Sequence, residues 1–155
     1  MAGRLTPRTP DACFVRLFRF LGLGAVSRVA VLVTAEDDDD IRMIVTRSLQ
    51  RAGHQVIAVA DGLQGLAAVR EHRPDAVITD VDMPYMTGLQ MCREIRRDPE
   101  LKHIPVVVVS GSLGSHDSHA REAGVTMVVP KPFVAGELLR SLTAVLTSPT
   151  PQLGL

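Results

Sequence analysis

Five positions could do chemistry together: Asp80, closing Ala76-Val77-Ile78-Thr79-Asp80; Glu36-Asp37, just past the run Val29 to Thr34; Ser110, after Val106 to Val109; and Lys131, between Pro130 and Pro132. Carboxylates gathered at one place repel one another, and without a cation at least one takes up a proton at neutral pH. A divalent ion resolves the conflict. Mg²⁺ prefers hard oxygen ligands in an octahedron, keeps several waters, and usually takes one or two carboxylates plus phosphate oxygens. Asp37 and Asp80 suit that role, with Glu36 holding a coordinated water. A carboxylate can also be the nucleophile of phosphoryl transfer, forming an aspartyl phosphate. The remaining demand is positioning and charge neutralisation around the equatorial oxygens. Lys131 and Ser110 answer it, and the two flanking prolines restrict the backbone so that the amine is aimed inward.

Each residue taken singly has an ordinary explanation. Acid pairs after strands are commonly solvated loop ends or helix caps, and Asp39 or Asp40 is expected to cap the helix that follows. Ser110 alone would be a turn residue, and Lys131 alone a solvated lysine. Their order at successive strand ends carries the argument.

That order depends on the elements that place them. β-Branched runs at Val29 to Thr34, Gln55 to Val59, Ala76 to Thr79, Val106 to Val109 and Thr126 to Val129 predict five strands. Helical spacing joins Ile41, Ile44, Val45 and Leu49, and again Leu63, Leu66, Ala67 and Arg70 after Asp61-Gly62. Further helices are expected over Leu89 to Arg97, Ser115 to Ala123 and Val134 to Leu146. Continuous apolar strands alternating with helices mean strands buried on both faces, hence a parallel sheet covered by helices. The fold class is α/β, doubly wound, and its functional crevice lies outside the carboxyl ends of the strands.

Composition narrows the function. The chain has 155 residues, enough for one compact domain, with 46% apolar residues and 3% aromatics, so the core must be aliphatic. Formal net charge is zero, but residues 1–28 hold five arginines against one acid, Asp11, which leaves the remainder mildly acidic. Lys102 and Lys131 are the two lysines of the whole chain. An acidic body argues against direct nucleic-acid binding. No apolar run approaches the roughly 18 residues a membrane helix needs, so no membrane insertion is expected. Cys13 and Cys92 have neither metal-ligand spacing nor a disulfide pattern, which fits a reducing cytoplasm.

From about Val29 to Leu146 the chain resembles the receiver domain of bacterial two-component response regulators, including the chemotaxis regulators. Four segments carry the resemblance in order: Val31 to Arg42 (VLVTAEDDDDIR), Asp75 to Leu89 (DAVITDVDMPYMTGL), Ile104 to Gly111 (IPVVVVSG) and Val128 to Phe133 (VVPKPF). The resemblance implies a flavodoxin-like sheet of order 2-1-3-4-5 with five helices. It makes Asp80 the phosphorylation site, Glu36 and Asp37 the acidic pair, and the main-chain carbonyl of Asp82 a further Mg²⁺ ligand. Ser110 takes the switch hydroxyl position, Lys131 contacts the phosphoryl oxygens, and Pro132 resembles the family's cis-peptide site. The implied partners are a sensor histidine kinase or phosphotransfer protein and a downstream protein of unknown identity.

Departures from the pattern matter. The family commonly places Tyr or Phe three positions before the motif lysine, but Val128 stands there, so a ring-flip switch cannot operate. Thr87 replaces a frequent Asp and affects the turn. Gly111 leaves the approach to the site open, while Asp82 and Ser112 occupy positions that influence how long the phosphoryl group survives. Two other functions compete with the signalling receiver. Asp80-Val81-Asp82 suggests a haloacid-dehalogenase-like phosphatase, although there the nucleophile ends the first strand and the metal-binding acids come late. Val128 makes conceivable a pseudo-receiver that binds without phosphorylation.

Three segments complete the organisation: residues 1–28 as a basic extension, 29–147 as the receiver domain, and 148–155 as a Pro-rich tail. No output domain follows the last helix, so a single-domain regulator, or else a fragment of a larger hybrid protein, is expected, and not an enzyme that turns over substrate. Arg16 and Arg19 interrupt the apolar residues of the extension, which argues against a secretory signal. His116 and His119, at i, i+3 on the fourth helix, are read as surface residues, and Met83, Met86 and Met91 as packing residues.

Overall fold

The computed structural model describes residues 29–114 and 116–147. The expectations for the basic extension, the Pro-rich tail and Cys13 lie outside the described residues. The elements run β1 (Val31–Ala35), α1 (Asp39–Arg51), β2 (Gln55–Val59), α2 (Gly62–His72), β3 (Ala76–Asp80), α3 (Gly88–Arg97), β4 (Val106–Ser110), α4 (Ser118–Glu122), β5 (Met127–Pro130) and α5 (Ala135–Thr147). All strand pairs are parallel, in the order β2-β1-β3-β4-β5. This is the doubly wound, flavodoxin-like sheet with five helices that the sequence implies.

β4 explains why the apolar strands are unbroken. Val106 and Val108 point into one core with Val33, Val77, Leu66, Met91 and Ile95, beneath α2 and α3. Val107 and Val109 point into the other, with Leu32, Ile78, Val45, Leu49, Leu138 and Leu142, beneath α1 and α5. Side chains alternate across a strand, so a strand covered on both sides has no solvent-facing position to give to a polar residue. Each fully buried valine contributes about 1.5 to 2 kcal/mol of transfer free energy. Met83 and Met91 are buried in the first core and Met86 packs against it, so the methionines are packing residues. Cys92 is also there, and burial pushes its thiol up to about 11, which leaves it an inert apolar filler.

Several boundaries shift from the sequence reading. β1 starts at Val31, because the Ala30 N–H donates to His54 Nδ1 (3.3 Å) while Val31 N–H takes the Asp75 carboxylate (2.8 Å). β5 begins at Met127, because the Thr126 side chain accepts the Val106 N–H at 3.0 Å. The cap of α1 is Asp38, not Asp39 or Asp40: its carboxylate accepts the N–H groups of Asp40 and Ile41, both at 2.9 Å. α4 is shorter than expected, because Asp117 caps it and accepts from the His119 and Ala120 N–H groups. His116 therefore precedes the helix rather than sharing it with His119. Among the described residues no helix is long and apolar enough to cross a membrane.

Candidate phosphoacceptor site

The register brings the polar strand ends to one edge. Ala35 pairs with Thr79, Asp80 with Val109, and Ser110 with Pro130. Glu36 and Asp80 thus emerge side by side from β1 and β3, with Ser110 and Lys131 following from β4 and β5. β2 lies on the other side of β1, so strand order reverses between β1 and β3, where a doubly wound sheet opens its crevice.

Carboxylate oxygens of Glu36, Asp37 and Asp80 all lie within 4.8 Å of one another. Glu36 is buried, Asp80 half-buried and Asp37 exposed, so the cluster opens outward through Asp37. Lys131 Nζ reaches into it, 3.1 Å from Glu36 Oε2 and 3.4 Å from Asp80 Oδ2. Burial pushes the Glu36 carboxyl up from its ordinary value; the Lys131 hydrogen bond opposes this and the Asp80 charge adds to it. Burial pulls Lys131 down, but its hydrogen bond to Glu36 and the charges of Asp80 and Glu36 outweigh it, so the ammonium is held above its ordinary value. Lys131 stays charged. The peptide bond from Lys131 to Pro132 is cis, as the resemblance implies.

The donor set fits Mg²⁺. All three are hard oxygen donors, close enough together for two carboxylates to share one ion and for the third to hold a water bound to it. Asp80 Oδ1 also accepts the Val81 N–H at 2.7 Å, which fixes the carboxylate plane.

The backbone around Asp80 is fitted without slack. Gly88 N–H donates to the Val81 carbonyl (2.9 Å), and a Cβ on Gly88 would lie 2.0 Å from the Asp80 carbonyl oxygen. Gly62 similarly admits no Cβ, which would lie 2.1 Å from the Met86 carbonyl oxygen. Thr87 and Gln90 form a capping box that starts α3 from this loop. Tyr85 has φ +67° in the same loop, a left-handed conformation unusual for an aromatic residue, and its ring is exposed.

Two of the expected side chains make no hydrogen bond to the carboxylate trio. Ser110 is buried at the right edge, but its Oγ is engaged by its own loop, accepting the N–H groups of Ser112 and Leu113 at 3.1 Å each. The Asp82 side chain is exposed and outside the trio; the expectation for it concerned its carbonyl. Arg42 was given no role by the sequence reading. Its Nη1 donates to the carbonyls of Glu36 (2.8 Å) and Asp37 (3.3 Å), and it pairs with the Asp39 carboxylate. Its place in the first helical turn, five and six residues past the acids, is the signal that could have found it.

The family model described as the response regulator receiver domain matches residues 31–143. The chain belongs to this family. This receiver domain is 40% identical over 112 residues to the transcriptional regulatory protein CseB of Streptomyces avermitilis, covering 72% of this chain and 46% of that one. It spans about half the length of the first curated relatives it matches. Among solved structures, the chemotaxis response regulator CheY4 of Vibrio cholerae superposes with a TM-score of 0.72 at 31% identity, covering 76% of this chain and 98% of that one. The receiver domain of the sensor histidine kinase PA1611 from Pseudomonas aeruginosa PAO1, described with a magnesium ion coordinated in its active-site cleft, superposes with a TM-score of 0.72 at 26% identity. It covers 77% of this chain and 99% of that one.

Proposed function

We propose that this receiver domain accepts a phosphoryl group on Asp80 from a phosphohistidine of a sensor histidine kinase or phosphotransfer protein. An Asp80 carboxylate oxygen attacks phosphorus, the new P–O bond forms, the P–N bond breaks, and the imidazole departs with its electron pair. The observation that carries this reading is Lys131, whose ammonium spans the carboxylates of Glu36 and Asp80 and stands where a phosphoryl oxygen on Asp80 would need a cation. Asp37, Asp80 and the Asp82 carbonyl would hold Mg²⁺, with Glu36 fixing a coordinated water; the ion, when bound, neutralises charge on the transferring group. The magnesium described for the PA1611 receiver supports the same assignment.

Ser110 is the hydroxyl that responds to the added charge. In doing so it gives up the bonds it makes to the loop after β4. With Val128 half-buried on β5 in place of a ring, the signal reaches a downstream protein through that loop. Residues 29–147 form the signalling unit, an extent that the near-complete coverage of CheY4 supports; it works as a switch rather than an enzyme, in the cytoplasm, through protein contacts. The family match leaves the dehalogenase-like reading without support.

Intact mass after incubation with acetyl phosphate and Mg²⁺ tests this. Wild type is expected to gain one phosphoryl adduct and Asp80→Asn none. A wild type without the adduct would overturn the proposal in favour of a binding module that works unphosphorylated.

A further inference from the structure

We infer that Arg42 is a positioning residue that holds the β1–α1 loop in its cation-binding shape without touching the ion; this rests on the Mg²⁺ site proposed above. Glu36 to Asp40 is an unbroken run of five acids. Mutual repulsion along such a run favours an open loop, yet two of its carboxylates must converge on Asp80. Lys131 answers part of the problem, from the carboxylate side, through Glu36.

Arg42 answers the other part from behind. Its Nη1 takes the main-chain carbonyls of Glu36 and Asp37, at 2.8 and 3.3 Å, rather than their carboxylates. Arg42 thus leaves both carboxylates untouched while it ties the peptide units that aim them to α1. Nη2 pairs with Asp39, an acid outside the carboxylate trio, which neutralises the guanidinium locally. A planar fork can serve two carbonyls and a carboxylate at once, whereas an ammonium offers a single point charge. α1 itself is anchored by the Asp38 cap, so the clamp closes on a fixed element.

Charge and positioning predict opposite signs. Removing a positive charge near a cation site should tighten Mg²⁺ binding if only Coulomb energy matters. Removing the clamp should weaken it, by about tenfold, as loss of an outer-shell partner does at other metal sites. The test is Mg²⁺ affinity by calorimetry on the full chain for wild type, Arg42→Gln, Arg42→Lys and Arg47→Gln, the last removing an exposed α1 cation that makes no bond to the loop. Amide exchange at Asp37 and Asp38 is read in parallel without metal. The expected result is weaker binding and faster exchange in Arg42→Gln, an intermediate effect in Arg42→Lys, and wild-type behaviour in Arg47→Gln.

Affinity in Arg42→Gln equal to or tighter than wild type overturns the inference while leaving the proposed phosphoacceptor intact. Should circular dichroism show Arg42→Gln unfolded, Arg42→Lys decides by the same criteria. If the wild type itself binds no Mg²⁺, the metal assignment falls, and the exchange arm still decides the clamp: unchanged exchange overturns it.

Discussion

At the scale of single residues, polar groups in this domain answer to what surrounds them more than to their type. His54 illustrates this away from the crevice. Its Nδ1 accepts the Ala30 N–H, which requires an unprotonated nitrogen, and burial holds its pKa below the ordinary value, with the Asp75 charge opposing. The unfolded chain therefore takes up the proton first as the pH falls below about 6.5. Stability should decline through that range and level off only once folded His54 is also protonated. Denaturant unfolding at a series of pH values checks this, and His54→Gln should flatten the slope. In the sequence His54 is one histidine among five, and nothing local announces a partner 24 positions away. Asp80, Glu36, Asp37 and Lys131 were legible because each sits at the end of a readable strand. Which of Asp38, Asp39 and Asp40 caps α1 was not, since equal side chains in a row give no composition signal and only backbone geometry chooses among them.

At the scale of elements, strand and helix identity followed from periodicity; the misjudged strand starts were set by side-chain bonds across the fold, and the misjudged helix starts by a neighbouring Asp cap. The tight joint between β3 and α3 is the sharpest element-level claim. A methyl at Gly88 collides with the Asp80 carbonyl oxygen, and that atom belongs to a strand fixed in the middle of the sheet. Gly88→Ala should destabilise the domain by about 2 to 3 kcal/mol, the upper part of the range for overpacking. It should also displace Asp80 enough to slow its labelling by acetyl phosphate. Urea melts and labelling rates measure the two effects. A substitution of this size at the exposed Gly114, where an added Cβ meets nothing within 4 Å, should do neither. In the sequence Gly88 is one residue of the Asp75 to Leu89 segment, and nothing there shows the distance that makes it irreplaceable.

For the whole molecule, acids clustered at one edge of the sheet link cation binding to folding. Three carboxylates held together in the folded state and dispersed in the unfolded chain mean that Mg²⁺, bound there as proposed, would stabilise the fold by mass action. At one hundred times its dissociation constant the gain should be about 2.7 kcal/mol. The melting temperature should rise with Mg²⁺ in the wild type and hardly move in Asp37→Asn, as thermal scans across a magnesium series would register. That the strand ends share an edge was legible from alternation alone. How they are braced was not, because the braces are long-range: Lys131 reaches Glu36 across 95 positions of sequence.

The glycines give the crevice two walls of unequal stiffness. On the β3–α3 side, Gly62 and Gly88 are packed so closely that even a methyl has nowhere to go. On the β4–α4 side, Gly111 and Gly114 have room around them, and Ser110 holds the loop by hydrogen bonds to Ser112 and Leu113 that one hydroxyl can release. Charge added between the walls meets a bolted joint on one side and a sprung one on the other. The direction in which this domain can yield is thus built into where its glycines are crowded and where they are free.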